Sequence, residues 1–386
     1  MRQTISAIDF GTSKVVCVIA AQRSDIAYDL LGYGVVPYAG YSEGRWNEAA
    51  KLADTTYSAL REAEIMAKRK VRDIVVGVPG SYTYASVCNV EIDIVAKNRT
   101  VTPDHVNKLL SSAARASKMP GRRVLHRRPL YYMLDSRERL ADPVGQRTSS
   151  LYGQVSCIMA DSDFLLQTRN LMEHLGVAVS GHVSTMLAQT VQMIPRQERE
   201  IGCVLIDSGF SSTTIAIVQG DGILFQQTVP LGARQIVTDM MQGLGISYED
   251  ADALKRRYVF GLDNTGQMQM MHFLDRTGRS KKYDAVLVSE VIEARVEEML
   301  EEFIDVLDSS GYRLAARSTV YLSGGAFAMM RGIRQYTSSV MNRNVQVLAP
   351  SAPGINSSVY ASVMGIVDYV CENTAVAGRK LFAGKI

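Results

Sequence analysis

The feature that most constrains this chain is a unit that occurs twice. Ile8-Asp9-Phe10-Gly11-Thr12-Ser13-Lys14 leads into Val15–Ile19, and Cys203-Val204-Leu205-Ile206-Asp207-Ser208-Gly209 leads through Ser211-Ser212-Thr213-Thr214 into Ile215–Val218. Each copy reads as an apolar strand, an aspartate, one residue, a glycine, a hydroxyl-rich turn and a second apolar strand. Two copies so far apart imply two related domains facing each other across a cleft. A Gly and hydroxyl turn between strands aims several backbone N–H groups at one point, which suits a phosphate. The first turn offers Gly11, Thr12, Ser13 and Lys14; the second offers Gly209, Ser211, Ser212 and Thr213. Asp9 and Asp207 end apolar strands, where a carboxylate would organise Mg²⁺ through waters. A third turn, Gly324-Gly325, follows the apolar run Val320-Tyr321-Leu322. GxxxxGK[ST] is absent, and no strand precedes Gly243-Leu244-Gly245, so neither a P-loop nor a Rossmann fingerprint is read.

Composition narrows the class. Hydrophobic residues make up 47% of the 386 and charged residues 21%, ordinary for a globular chain and too apolar for disorder. A net charge of +3 gives no nucleic-acid footprint, so none is expected as a partner. No apolar run reaches the ~18 residues of a spanning helix. Met1–Ile5 shows neither a signal-peptide core nor a cleavage site, so a cytoplasmic chain is expected. The five cysteines lie apart with no CxxC spacing and read as small buried hydrophobes. The five histidines show no ligand spacing either.

Alternation of strands and helices runs along the chain. Helical spacing covers Glu48 to Met66, and Ile74-Val75-Val76-Gly77-Val78 reads as a strand buried on both faces. The texture then changes: a strand at Val87 to Ile94, a helix opened by Thr102-Pro103, then strands at Val124 to Leu134 and Val155 to Met159. These form a small inserted strand-helix-strand-strand lobe. Arg122, Arg123, Arg127 and Arg128 give it a basic patch, read as a solvated face. A helix at Asp163 to Leu175 precedes the second copy of the repeat. Later helices are read at Tyr248–Tyr258, Ser289–Leu307 and Val359–Tyr369, with a loop or hairpin over Gly261–Lys282. The strand Val320–Ser323 is expected to run into a glycine turn and a helix.

Ala7-Ile8-Asp9-Phe10-Gly11-Thr12-Ser13-Lys14-Val15 resembles the first phosphate motif of the actin-like ATPases, and within them of the bacterial cell-division FtsA family. The likeness continues through Tyr41-Ser42-Glu43-Gly44, Val76-Gly77-Val78-Pro79-Gly80-Ser81, Pro230-Leu231-Gly232-Ala233, Glu249-Asp250-Ala251-Asp252-Ala253-Leu254-Lys255 and Leu322-Ser323-Gly324-Gly325-Ala326, over about residues 5–370. The position of the inserted lobe separates this family from other actin-like proteins.

The resemblance implies an α/β actin-like (ribonuclease H-like) fold of duplicated domains flanking a nucleotide cleft. The expected division is 1–82 with 162–200, an inserted SHS2-type lobe at 83–161, 201–240 with 313–370, a helix-rich lobe at 241–312, and a tail at 371–386. ATP and Mg²⁺ would be held by Asp9, Gly11, Thr12, Ser13 and Lys14 from one side and by Asp207, Gly209, Ser211, Ser212 and Thr213 from the other. Gly324 and Gly325 would let backbone approach the adenosine, and Glu249 and Lys255 would meet base or ribose. The family further implies filaments, recruitment of the tubulin-like protein FtsZ through its C-terminal peptide, other divisome partners, and a peripheral place on the inner face of the cell membrane. The basic and apolar tail, ending Leu381-Phe382-Ala383-Gly384-Lys385-Ile386, reads as a weak anchor.

One departure bears on chemistry. The family's second turn usually reads Asp-x-Gly-Gly-Gly-Thr-Thr-Asp, whereas Phe210 and Ser211 stand at two of its glycines and Thr214 at the closing aspartate. Loss of that carboxylate removes a group that orients water, so nucleotide binding with slow or no hydrolysis is expected. Two alternatives stay open: a PilM-like assembly protein of another membrane machine, and an actin-superfamily ATPase or kinase with true turnover.

Overall fold

The first copy of the repeat opens a five-stranded sheet. A computed structural model describes residues 3–24, 27–42, 45–95, 98–261, 270–275, 277–352 and 354–377. In it β1 (Thr4–Phe10) turns into β2 (Lys14–Ser24), which pairs antiparallel with β1 and with β3 (Ala27–Pro37). A small hairpin of β4 (Tyr41–Ser42) and β5 (Arg45–Trp46) leads into α1 (Ala49–Ala67), and β6 (Asp73–Val78) returns parallel to β1. The chain then leaves this sheet to build a second one from β7 (Thr83–Asp93), α2 (Pro103–Ala116), β8 (Arg122–Leu134), β9 (Arg139–Leu140) and β10 (Ser150–Asp161), in the order β7-β10-β8-β9. Thr102 caps α2 and Pro103 opens it, as the sequence predicts. After α3 (Ser162–His174), β11 (Ala178–Ser184) completes the first sheet as β11-β6-β1-β2-β3.

Two helices, α4 (Thr185–Met193) and α5 (Arg196–Ile201), lead to the second copy. There β12 (Cys203–Ser208), β13 (Thr213–Gln219) and β14 (Gly222–Val229) form an antiparallel meander. The helices α6 (Ala233–Leu244) and α7 (Tyr248–Arg257), the hairpin β15 (Met270–Leu274) with β16 (Ser280–Asp284), and α8 (Ala285–Ser309) follow. The strand β17 (Val320–Ser323) lies parallel to β12, and α9 (Ile333–Met341), β18 (Val345–Val347) and α10 (Ala361–Ala377) end the chain's described part. The sheet order β14-β13-β12-β17-β18 repeats β3-β2-β1-β6-β11 strand for strand, with the same directions. The sequence repeat is thus the visible part of a duplicated sheet.

Packing places the two sheets on either side of a helix pair. One apolar cluster joins Val16 and Val18 of β2, Met186 and Leu187 of α4, Leu205 and Ala216 of the second sheet, and Met364 and Ile366 of α10. Each of these side chains larger than alanine contributes about 1.5–3 kcal/mol on leaving water. The inserted lobe has its own core, with Leu109 and Ala113 of α2 against Tyr132, Leu151 and Val155. At the open edge of the first sheet α1 covers β3 closely: a Cβ on Gly32 would stand 2.6 Å from the Ala67 amide nitrogen. The strand's outward N–H groups are taken up there, Val35 donating to Glu62 Oε2 (3.1 Å) and Tyr33 to Met66 Sδ (3.4 Å).

Several expectations change. The helix after Gly324-Gly325 comes later than the sequence suggests: Gly324 turns the chain with φ +86°, the Ala326 N–H goes to the Ser208 carbonyl (2.9 Å), and α9 starts only at Ile333. The loop or hairpin expected over Gly261–Lys282 does hold: it carries the β15–β16 hairpin, with residues 262–269 and 276 outside the described residues. The basic patch is not simply solvated, because Arg122 lies over the Tyr84 ring, Arg128 donates to Tyr369 Oη (2.8 Å) and Arg127 to Ser111 Oγ (3.1 Å). At the expected tail, α10 continues to Ala377, and 378–386 lie outside the described residues. Among the described residues no helix is long and apolar enough to cross a membrane.

Candidate functional site

The two Asp–x–Gly turns have the same internal geometry. Gly11 N–H donates to the Lys14 carbonyl and Gly209 N–H to the Ser212 carbonyl, each at 2.9 Å. Asp9 and Asp207 occupy matching positions at the strand ends, opposite Val16 and Thr214. Because the duplicated sheets face each other, the turn tips meet: Ser211 N–H donates to Thr12 Oγ1 at 3.1 Å. The third turn joins them. A Cβ on Gly324 would fall 2.6 Å from Asp207 Oδ1, and one on Gly325 would be 3.9 Å from Lys14 Nζ. Asp9, Thr12, Lys14, Asp207, Gly209, Ser211, Gly324 and Gly325 therefore belong to one constellation.

Electrostatics at its centre are unfavourable to two bare carboxylates. Burial pushes Asp9 up to about 7, the charge of Asp207 adds to the rise, and Lys14 opposes it. Asp207 is also raised by burial, against hydrogen bonds from Gln189 Nε2 (2.8 Å) and Ser362 Oγ (3.3 Å). Burial lowers the Lys14 amine, with Asp9 opposing and Arg256 assisting. A cation relieves such a pair. Among the described residues no group of three or more His, Cys, Asp or Glu is arranged to hold a metal. Two carboxylates are as many as a Mg²⁺ ion takes from protein when it keeps waters and phosphate oxygens as its other ligands.

Neighbouring elements fix this arrangement. Gln189 of α4 spans Asp207, Ser362 of α10 and Ser323 at the end of β17. The second turn is tied to the start of α6, whose Ala233 and Arg234 N–H groups donate to the carbonyls of Gly209 (3.1 Å) and Phe210 (2.7 Å). Thr213 Oγ1 donates to the Leu231 carbonyl (2.7 Å), and Ser212 lines a pocket beside the turn. The Phe210 ring lies under the Arg234 guanidinium, 5.4 Å from its centroid. Thr214 Oγ1 pairs with Thr228 Oγ1 (2.9 Å). Across the cleft, Gln226 Nε2 of β14 donates to the carbonyls of Gly80 and Thr83 (both 3.0 Å) and to Thr83 Oγ1 (2.8 Å).

Of the remaining candidates, Ser13 sits in the first turn, where its carbonyl accepts from Tyr38 N–H (2.8 Å). Glu249 is exposed in the first turn of α7, and Lys255 is buried and paired with Asp252 at 2.9 Å. Among the described residues no hydrogen bond or ion pair joins either to the phosphate turns. Sequence reasoning missed Gln189, Ser362, Gln226 and Arg234. Gln189 had a signal, a polar residue wholly buried inside the apolar stretch Met186-Leu187-Ala188. The other three are single polar residues whose importance comes from contacts distant in sequence.

Duplicated sheets of this order, with matched turns meeting between them, define an actin-like protein. Solved structures agree at the level of fold: the PilM–PilN type IV pilus biogenesis complex superposes with a TM-score of 0.64 over 96% of this chain and 99% of that one, at 15% identity. MreB 5 of Spiroplasma citri bound to AMPPNP gives 0.55 over 97% and 99%, at 12% identity. The family model described as cell division protein FtsA matches residues 204–365, and that of the SHS2 domain inserted in FtsA matches 80–159. Cell division protein FtsA of Bacillus subtilis (strain 168) is 26% identical over 377 residues, 97% of this chain and 85% of that one. That of Escherichia coli (strain K12) is 24% identical over 381 residues, 96% and 87%. The chain belongs to the FtsA family of actin-like cell-division proteins.

Proposed function

We propose that this chain binds Mg²⁺·ATP between its two phosphate turns and serves division as a nucleotide-dependent scaffold rather than as a fast enzyme. The observation that carries the reading is the meeting of the turns, with Ser211 N–H on Thr12 Oγ1 and two buried carboxylates beside Lys14. Asp9 and Asp207 would hold Mg²⁺, which supplies charge neutralisation to the phosphates. Gly11, Thr12, Ser13 and Lys14 would bind phosphate from the first domain, and Gly209, Ser211, Ser212 and Thr213 from the second. Gly324 and Gly325 would give room for the nucleoside, and Glu249 and Lys255 of α7 would meet its base or ribose. Slow or absent hydrolysis follows from Thr214, whose hydroxyl is engaged by Thr228 and cannot act as a carboxylate base.

Calorimetric titration of ATP with Mg²⁺ into the wild type and the Asp9→Ala and Asp207→Ala variants tests this. Binding abolished by both substitutions is the expected result; no uptake at millimolar ATP refutes it. Family membership supports the wider role: filaments at the inner face of the membrane, recruitment of FtsZ by its C-terminal peptide, contact with other divisome proteins, and a tail over 371–386 as a weak anchor. Co-sedimentation of the full chain with anionic vesicles, with and without the FtsZ C-terminal peptide, checks that part.

A further inference from the structure

Beside the second phosphate turn lies a pocket of about 430 Å³ whose lining includes Tyr41, Ser81, Ser211, Ser212, Thr228 and Arg234. Five hydroxyl-bearing residues and one guanidinium line it, and no carboxylate is among its described lining residues. Arg234 makes no ion pair among the described residues. One of its terminal nitrogens donates to the Tyr41 carbonyl of the first domain (2.8 Å), and the guanidinium rests over Phe210. Ser211 Oγ is buried with no hydrogen-bond partner. The first amides of α6 are already spent on Gly209 and Phe210, so the positive charge here comes from the side chain and not from the helix end.

A guanidinium with no counter-ion among the described residues, next to hydroxyls and an orphaned buried oxygen, is the chemistry that recognises a tetrahedral oxyanion. We propose that this pocket takes a phosphate-class oxyanion and that Arg234, seated on Phe210, is the residue that reads it. The oxyanion is either the terminal phosphoryl group of a bound nucleoside triphosphate or free inorganic phosphate. A guanidinium has five N–H donors; with one on Tyr41 O it can hold the oxyanion with others, so a single side chain ties the phosphate to the β4 hairpin of the first domain. Phe210, which replaces a glycine of the family's turn, acquires a role as the platform that orients Arg234. The triphosphate source rests on the nucleotide reading above; the inorganic phosphate source does not.

The test titrates the full chain, as wild type, Arg234→Gln and Arg234→Lys, with Mg²⁺·ADP, Mg²⁺·AMPPNP and inorganic phosphate alone. Loss of a charge-assisted bond predicts about a tenfold weakening in Arg234→Gln. A loss confined to AMPPNP, with ADP within twofold, assigns the pocket to the terminal phosphoryl group; a loss confined to inorganic phosphate assigns it to the free ion. Arg234→Lys, which keeps the charge but not the fork, should weaken the same arm by a smaller factor, and it carries the test if the glutamine variant does not fold. Equal weakening for ADP and AMPPNP, or no change in any arm, overturns the proposal. A wild type that takes up neither nucleotide refutes the nucleotide reading, and the pocket then stands or falls on inorganic phosphate.

Discussion

Adjacent glycines at 324 and 325 should respond oppositely to the same methyl group. Gly324 has φ +86°, a region that costs an L-residue about 1–2 kcal/mol. Its Cβ would also stand 2.6 Å from Asp207 Oδ1 and closer still to the Ser208 carbonyl oxygen, where ordinary contact begins near 3.4 Å. Neither neighbour can yield freely, since Ser208 belongs to the central strand β12 and Asp207 is held by Gln189 and Ser362. Overpacking against such rigid atoms adds about 1–3 kcal/mol. Gly324→Ala should therefore lose about 2–5 kcal/mol of stability. In Gly325→Ala the new methyl meets Val359 Cγ2 at 3.5 Å and Lys14 Nζ at 3.9 Å, which is ordinary contact, and the loss should stay within about 1 kcal/mol. Guanidinium denaturation of the three proteins, with unchanged slope, gives the comparison. Mg²⁺·ATP titration adds a second readout, because displacing Asp207 should weaken binding only in the 324 variant. Equal losses at the two positions, or a 324 variant within 0.5 kcal/mol of wild type, would refute the steric reasoning.

Two further perturbations probe the seams between lobes. His126 is buried with Nε2 accepting from Ser184 N–H (3.1 Å), and burial, followed by the charge of Arg128, lowers it to about 3. Its unfolded value is near 6.5, so its contribution is present above that pH and lost on acidification. Wild type should lose about 2 kcal/mol more than His126→Asn between pH 7 and pH 5; parallel pH profiles of denaturation midpoint for the two proteins would contradict this. Gln226→Ala removes one donor from the Gly80 and Thr83 carbonyls, the first of which keeps the Thr83 N–H and hydroxyl, and should cost about 1 kcal/mol. Gln226→Glu should cost more at pH 8, because a carboxylate would face those carbonyls, and denaturation showing it milder than alanine would discard the clamp.

The duplicated sheet and its two Asp–x–Gly turns were legible because an aspartate at the end of an apolar strand, followed by glycine and hydroxyls, is a rare local pattern, and here it occurs twice. The inserted lobe was legible from its change of texture and from the Thr102-Pro103 cap. Elements whose apolar content is low or short escaped notice. The strand β11, Ala178-Val179-Ser180-Gly181-His182-Val183-Ser184, is an edge strand with two partners' worth of polar residues, and α4 has only nine residues. Residues such as Gln226 and Arg234 act through backbone carbonyls of distant segments, Gly80 and Tyr41, which no spacing rule links to them. Phe210 illustrates the same limit from the other side: its sequence position says what it replaces, and only its contact with Arg234 says what it does.

The capping of β3 by α1 has a consequence for crowding. A protein gathered at high local concentration turns every unpaired strand border into a seed for runaway pairing between molecules. Glu62 and Met66 occupy the N–H groups of Val35 and Tyr33 from within the same chain, so this border cannot recruit a strand from a neighbour without first being stripped. Pairing of a second strand along this part of β3 would have to displace both contacts first. Protection of this border is in this sense written into one carboxylate and one thioether.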